Sequence, residues 1–170
     1  AVAREKLDLA EALYNMGGFQ DSAQEALESA SIFGEKGDGE GEVYSSLQAF
    51  RSYTSAGRRM RGKRCLERAR EVARQRQDQR LLAIIEMESI LNQETLPMEN
   101  QIATFARQTE ILGPEDTDIA VKGFLRIAKH LEGAPGKENL LLRLKCLSSA
   151  SNLLHGTSEK EGLSTLIKRM

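Results

Sequence analysis

The side chains best suited to chemistry are few and widely separated in this sequence. Two cysteines, Cys65 and Cys146, stand singly within apolar helical patterns, and two histidines, His130 and His155, stand near predicted helix ends. A catalytic nucleophile needs a neighbouring base, and a zinc site needs clustered ligands. The four positions therefore indicate small core residues and helix-end contacts, and we expect no enzyme activity, no metal and no cofactor.

The segment GEKGDGEGE, residues 34–42, alternates acidic residues with glycine. It lacks the preceding strand and the Lys-Ser ending of a phosphate loop, and its carboxylates miss the spacing of a helix-loop-helix calcium site. Its acidic side chains would also repel phosphate. We interpret the segment as a polar connector between helices.

Charge is distributed unevenly along the chain, although the formal net charge is only -1. Residues 1–50 hold three basic and ten acidic side chains, whereas residues 51–80 hold eleven basic and three acidic ones. This asymmetry indicates either compensation between neighbouring helices or a surface for an acidic partner.

A basic segment, residues 58–76, carries most of the positive charge. At about 100° per residue, five of its cations lie away from the apolar side and are expected to form an exposed, partner-binding basic surface: Lys63, Arg64, Arg68, Arg70 and Arg74. No aromatic residue interleaves with these cations, so nucleic acid is a less favoured partner here than protein.

Apolar periodicity predicts an all-α chain. Between residues 6 and 16, apolar side chains recur three and four apart, and Gly17 and Gly18 then predict a tight turn. The apolar pattern resumes between residues 23 and 30, with Asp21 and Ser22 as capping side chains. These two stretches predict an antiparallel helical hairpin.

The hairpin pattern returns 39 residues later along the chain. Four pairs of matched positions are Ala10 and Ala49, Tyr14 and Tyr53, Gly18 and Gly57, and Ala30 and Ala69. Because small residues let paired helices approach closely while large ones fill the gaps between hairpins, the match predicts a repeating, stacked arrangement. Such repeats build a solenoid.

A small residue, a Tyr, a turn Gly four residues later, and then Ala, Leu and Ala at fixed offsets resemble the tetratricopeptide repeat. The resemblance covers residues 7–30 and 46–69. It implies a right-handed α-solenoid, with the residues beyond the family's usual repeat length placed in the GEKGDGEGE connector. Glu11 and Phe50 depart from the family's preference for a small residue, and no proline closes either unit.

In that family the first helix of each hairpin lines a concave groove that holds an extended peptide or a helix. The resemblance therefore implies these groove residues: Asp8, Ala12, Asn15, Met16, Tyr44, Leu47, Gln48, Arg51 and Ser55. Asp8 and Ala12 stand where Lys and Asn form a carboxylate clamp in some relatives. We therefore expect a client with apolar and basic side chains.

Alternating helices and turns predict a single domain over residues 1–170. Nine helices are expected, as hairpins over approximately 3–33, 41–76, 79–112 and 116–155 and a closing helix over 158–169. The closing helix begins with a Ser158–Glu161 capping box, and its Leu163, Leu166 and Ile167 are expected to cover the last apolar edge.

The function expected from these features is non-catalytic binding of a peptide or helix of another protein, as a scaffold or adaptor. The alternative is a structural subunit of a larger assembly that contacts RNA or another acidic partner through the basic segment, and a regulatory sensor domain is a third reading. No apolar run approaches the roughly 20 residues that span a bilayer. We expect a soluble, cytoplasmic protein, or an organellar one after removal of a targeting segment, and the oligomeric state stays open.

Overall fold

The chain is helical throughout the part that the structure describes. The computed structural model describes residues 1–92 and 97–169, with side chains up to residue 156. Within these ranges there are eight α-helices, two short 3-10 helices (Pro114–Asp116 and Leu131–Gly133) and no strand, so the all-α prediction is confirmed. The α-helices are α1 (Val2–Asn15), α2 (Phe19–Glu35), α3 (Gly39–Ser55), α4 (Arg59–Gln75), α5 (Gln79–Leu91), α6 (Met98–Thr109), α7 (Thr117–His130) and α8 (Lys137–Arg169).

The helices fall into two compact units, residues Ala1–Asn92 and Gln93–Met170. In the first unit each helix from α1 to α5 packs against the next, and α3 also contacts α1 and α5. In the second unit α7 packs against α8, and α6 contacts α7. The helices of the predicted hairpin 79–112 lie in different units, and the single domain stays a prediction.

One three-residue turn recurs four times in the first unit, every 20 residues. Its central residue has a positive φ in each case: 83° at Gly17, 71° at Gly37, 73° at Gly57 and 53° at Gln77. In the first turn the amide of Gly18 donates to the carbonyl of Leu13 at 2.8 Å, and the other turns repeat this bond. The left-handed residue satisfies the last carbonyls of one helix and starts the next.

The turns correct the repeat offset from 39 to 40 residues. The amide of Gly18 bonds the carbonyl of Leu13, and the amide of Arg58 bonds that of Tyr53 at the same 2.8 Å. Tyr53 therefore corresponds to Leu13, and Tyr14 does not correspond to it. Matching the two tyrosines by type displaced the alignment by one residue, because Gly17 and not Gly18 has the positive φ that defines the turn.

The predicted connector GEKGDGEGE is wrong, because only Lys36, Gly37 and Asp38 lie between α2 and α3. The other glycines of this segment belong to the helices and permit close packing. A Cβ on Gly41 would lie 2.5 Å from Cδ1 of Phe33, and one on Gly39 would meet the Arg76 side chain. Glycine here provides space between helices instead of a long loop.

Buried serines join the first three helices. Ser22, predicted as a cap, is fully buried within α2, and its Oγ donates to the carbonyl of Ala10 at 2.6 Å. Ser29 donates in the same way to the carbonyl of Ala3 at 2.7 Å, and its Oγ lies 2.9 Å from Oγ of Ser45. Small hydroxyl side chains thus let the helices approach closely with their polar groups satisfied.

The second unit departs from the sequence prediction at its C-terminal helix. The helix α8 continues without a break from Lys137 to Arg169, so nine helices are not confirmed. Gly156 lies inside it, because one glycine weakens a helix by only about 1 kcal/mol and removes no hydrogen bond. The expected burial of Leu163, Leu166 and Ile167 lies outside the described side chains.

Candidate interaction surfaces of the first unit

Arg51 on α3 occupies the centre of a polar surface shared with α1 and α5. Its Nη2 donates to Oε2 of Glu88 on α5 at 2.8 Å, and 34% of its side chain is exposed against 7% for Glu88. Burial alone would lower the pKa of Arg51, but Glu88 and, more weakly, Glu11 on α1 outweigh it, so the pKa is raised. The guanidinium stays charged and links the three helices.

A hydrogen-bond network fixes this guanidinium from below. Gln48 is buried, its Oε1 accepts from Nη1 of Arg51 at 3.4 Å, and its Nε2 donates to Oγ of Ser22 and of Ser52 at 3.4 Å each. Nδ2 of Asn92 donates to Oε1 of Glu88 at 3.1 Å. Because the surrounding side chains hold both charges in place, the surface is preorganised.

The exposed part of this surface is acidic. Asp8 and Glu11 on α1 are exposed, and they lie one helical turn apart with Asn15 following Glu11 by four residues. On the neighbouring α3, Oγ of Ser55 lies 3.1 Å from the hydroxyl of Tyr14. We call the following set the acidic face: Asp8, Glu11, Asn15, Arg51, Ser55 and Glu88. It holds three carboxylates and one guanidinium.

The structure distributes the predicted groove residues between surface and interior. Asp8, Ala12, Asn15, Met16 and Ser55 are exposed, and Tyr44 and Arg51 are half-buried. Leu47 and Gln48 are 1% and 3% exposed, because both face the helices that pack against α3. These two residues support the surface from the inside and offer almost no area to a partner.

Sequence reasoning missed the carboxylates that complete the acidic face. Glu11 stood out only as a departure from the repeat pattern, and Glu88 and Asn92 lie in a helix with no motif. The available signal was the spacing of Asp8, Glu11 and Asn15, which places them on one side of a helix. The pairing of Glu88 with Arg51 spans 37 residues and has no local signature.

The basic surface is partly neutralised by neighbouring helices. Arg68 pairs with Glu42 on α3 at 2.9 Å, and Arg70 on its two sides binds Glu67 at 2.6 Å and Glu86 at 2.9 Å. Arg70 is only 18% exposed in its side chain, so it is not on the open surface as predicted. Lys63, Arg64 and Arg74 are exposed and form no ion pair within the described part of the chain.

Both explanations of the uneven charge therefore have a structural counterpart. Arg80 with Glu40 at 3.0 Å, like Arg68 with Glu42, joins the basic segment to the acidic half of the chain. The charges that remain exposed on α4 are the ones available to another molecule. Compensation within the first unit thus accounts for part of the asymmetry.

The reactive side chains lie apart from these surfaces. Cys65 and Cys146 are buried as free thiols, and burial raises the pKa of both. His130 ends α7, whereas His155 lies within α8 and not at a helix end, because that helix continues. Among the described residues no cluster of three or more potential metal ligands occurs. None of the described helices combines the length and apolar character that a bilayer crossing requires.

Comparison with known proteins adds no relative to this picture. No family model matches the chain, and no curated protein and no solved structure matches it. The tetratricopeptide resemblance thus rests on the residues that carry it, and the fold class established for the described chain is all-α.

Proposed function

We propose that this chain is a non-catalytic scaffold that holds a segment of another protein against the acidic face of its first unit. The segment is an extended peptide or a helix with basic and apolar side chains. One observation carries the proposal: Arg51 and Glu88 are locked in a network across α3 and α5 beside the exposed carboxylates of α1. A fixed, charged surface lowers the entropic cost of binding.

The proposal includes a short right-handed α-solenoid of tetratricopeptide type. Two features support it: the same turn recurs every 20 residues, and α3 contacts both α1 and α5, the alternate helices of the series. Alternate helices that touch form a continuous face in stacked hairpins. The acidic face consists of residues from these three helices.

The charge of the face selects the partner. Because Arg51 is already bound to Glu88, the free charges of the face are the carboxylates of Asp8 and Glu11. A lysine or arginine of the partner would pair with them, and Met16, which is 81% exposed, offers an apolar contact at the end of α1. An acidic partner would be repelled.

Selection from a displayed random-peptide library tests this function. We expect enriched peptides that combine Lys or Arg with apolar residues. The variant Asp8→Lys/Glu11→Lys should lose their binding, while the control Asp21→Lys/Glu35→Lys, which makes the same charge change on α2, should keep it. Absence of enrichment, or equal binding to both variants, would count against the proposal.

A second candidate function has support in α4. Lys63, Arg64 and Arg74 leave a net positive, exposed stripe that could contact RNA or another acidic component of an assembly. Binding of a single-stranded RNA at low salt, lost in Lys63→Glu/Arg64→Glu/Arg74→Glu and steeply weakened by added salt, would support this candidate. Absence of RNA binding at low salt would remove its nucleic-acid form.

A further inference from the structure

An exposed leucine stripe runs along α8 in the second unit. Leu140, Leu144, Leu147 and Leu154 are 54%, 53%, 38% and 52% exposed. With Ser151 they follow one another at intervals of four, three, four and three residues, which is the spacing of a coiled-coil seam. We call these five residues the leucine stripe.

The stripe lies on the side of α8 that faces away from α7. Cys146 and Ala150 are buried, and at about 100° per residue they fall on the opposite side of the helix from Leu144 and Ser151. The sequence predicted a closing helix that covers the last apolar edge. Since α8 continues to Arg169 without a break, its C-terminal part cannot fold back over residues 140–154.

We propose that the leucine stripe is the contact between two copies of this chain, whose α8 helices pair in antiparallel fashion about a two-fold axis at Leu147. The residue spacing is symmetric about Leu147. In this arrangement Leu147 meets Leu147 of the second copy, Leu140 meets Leu154, and Leu144 meets Ser151. Each large side chain at the outer contacts thereby meets a partner that its own chain also supplies.

The composition of the stripe favours a second copy as the occupant. It contains no charged side chain, so two identical surfaces meet without like-charge repulsion. The small Ser151 leaves room for Leu144 of the other copy, which suits close approach of the two helices. An unrelated partner helix would not require the symmetry of the stripe about Leu147.

Order in α8 before association strengthens this inference. The helix packs along α7 through Cys146 and Ala150, and Arg143 donates to Glu132 at 3.0 Å. A preformed helix spends no further entropy on folding when it binds, in contrast to a short isolated helix. Clustered leucines that stay half-exposed in a monomer also mark an interaction surface.

Sedimentation velocity of the full chain from micromolar to several hundred micromolar concentration tests the dimer. We expect a mass of twice the chain, and a monomer for Leu144→Glu/Leu147→Glu. The matched control is Leu125→Glu, which changes a leucine on α7 with 45% exposure and should keep the dimer. Circular dichroism and thermal unfolding of each variant establish that it folds.

Disulfide trapping tests the antiparallel register. Leu147→Cys should cross-link to itself under mild oxidation, whereas wild type should not, because Cys65 and Cys146 are buried. Leu140→Cys alone should cross-link poorly, and its mixture with Leu154→Cys should give the heterodimer. A monomer at all concentrations, a dimer insensitive to Leu144→Glu/Leu147→Glu, or self-linkage of Leu140→Cys as efficient as that of Leu147→Cys would overturn the proposal.

Discussion

Gln77 takes the left-handed conformation that glycine takes in the three preceding turns of the first unit. Its φ is 53°, against 71° to 83° for Gly17, Gly37 and Gly57. A side chain in this region brings its Cβ close to the following carbonyl oxygen, which destabilises the residue by about 1–2 kcal/mol. The bond from its amide to the carbonyl of Arg74 at 3.0 Å nevertheless matches that of the other turns.

Replacement of Gln77 by glycine should therefore stabilise the first unit. We expect Gln77→Gly to raise the free energy of unfolding in urea by about 1 kcal/mol. The control Gln79→Gly, inside α5, should lower it by a similar amount. A loss of stability in Gln77→Gly would contradict the role of this turn.

The buried pair Ser29 and Ser45 allows a second test on single residues. Either serine changed to alanine leaves the other hydroxyl buried, and we expect each change to lower the free energy of unfolding by about 1–2 kcal/mol. The double variant Ser29→Ala/Ser45→Ala removes both hydroxyls and should lose less than the sum of the two. A double-mutant cycle in urea measures this coupling, and strict additivity would speak against the pair.

Helix packing in the first unit depends on glycine where α2 and α3 meet. Cδ1 of Phe33 lies 2.5 Å from the position of a Cβ on Gly41, and this part of the ring is too close to the backbone to move aside freely. The prediction concerns the α2–α3 pair as an element, because the close approach involves both helices.

We expect Gly41→Ala to lower the free energy of unfolding by about 1–3 kcal/mol, as overpacked cores do. The change would raise stability in an open helix position, so the sign is informative. The double variant Gly41→Ala/Phe33→Leu should recover part of the loss, because it shortens the side chain that Gly41 accommodates. Thermal and urea unfolding of the three chains give the answer, and a stabilised Gly41→Ala would refute the close contact.

The sequence predicted the elements of this chain better than their register. Amphipathic spacing sufficed for the helices of the first unit, because it reports directly on which side chains are buried. It could not separate a glycine that ends a helix, such as Gly37, from Gly39 or Gly41, which let a neighbouring side chain approach. The exact 20-residue spacing of Gly17, Gly37 and Gly57 was visible and would have given the correct offset.

The candidate site was less accessible to sequence reasoning than the fold class. Asp8, Asn15 and Arg51 were chosen through a resemblance, and they lie on exposed or half-buried positions. Glu88 could not be chosen, because its partner Arg51 is distant in sequence and only packing brings the two together. Arg70 was misplaced because helical periodicity ignores the carboxylates that neighbouring helices present to it.

The whole molecule comprises two compact units, and each contains one buried thiol. Cys65 belongs to the first and Cys146 to the second, and burial raises the pKa of both, so little reactive thiolate forms at neutral pH. Modification of each thiol thus reports the opening of its own unit.

We expect the two thiols to become reactive at different urea concentrations. The variants Cys146→Ala and Cys65→Ala each leave one thiol, and in native buffer each should react about a hundredfold or more slowly than in the unfolded chain. A maleimide reagent with mass detection follows both reactions. Identical midpoints for the two thiols would contradict independent units.

A charge-swap titration tests the central claim, that the acidic face binds a basic segment of another protein. Calorimetry would compare a selected basic peptide, and its copy with Lys and Arg changed to Glu, on wild type and on Asp8→Lys/Glu11→Lys. We predict that wild type binds only the basic peptide and that the variant binds the acidic copy, with both affinities falling as salt rises. Undiminished binding of the basic peptide by the variant would contradict the account.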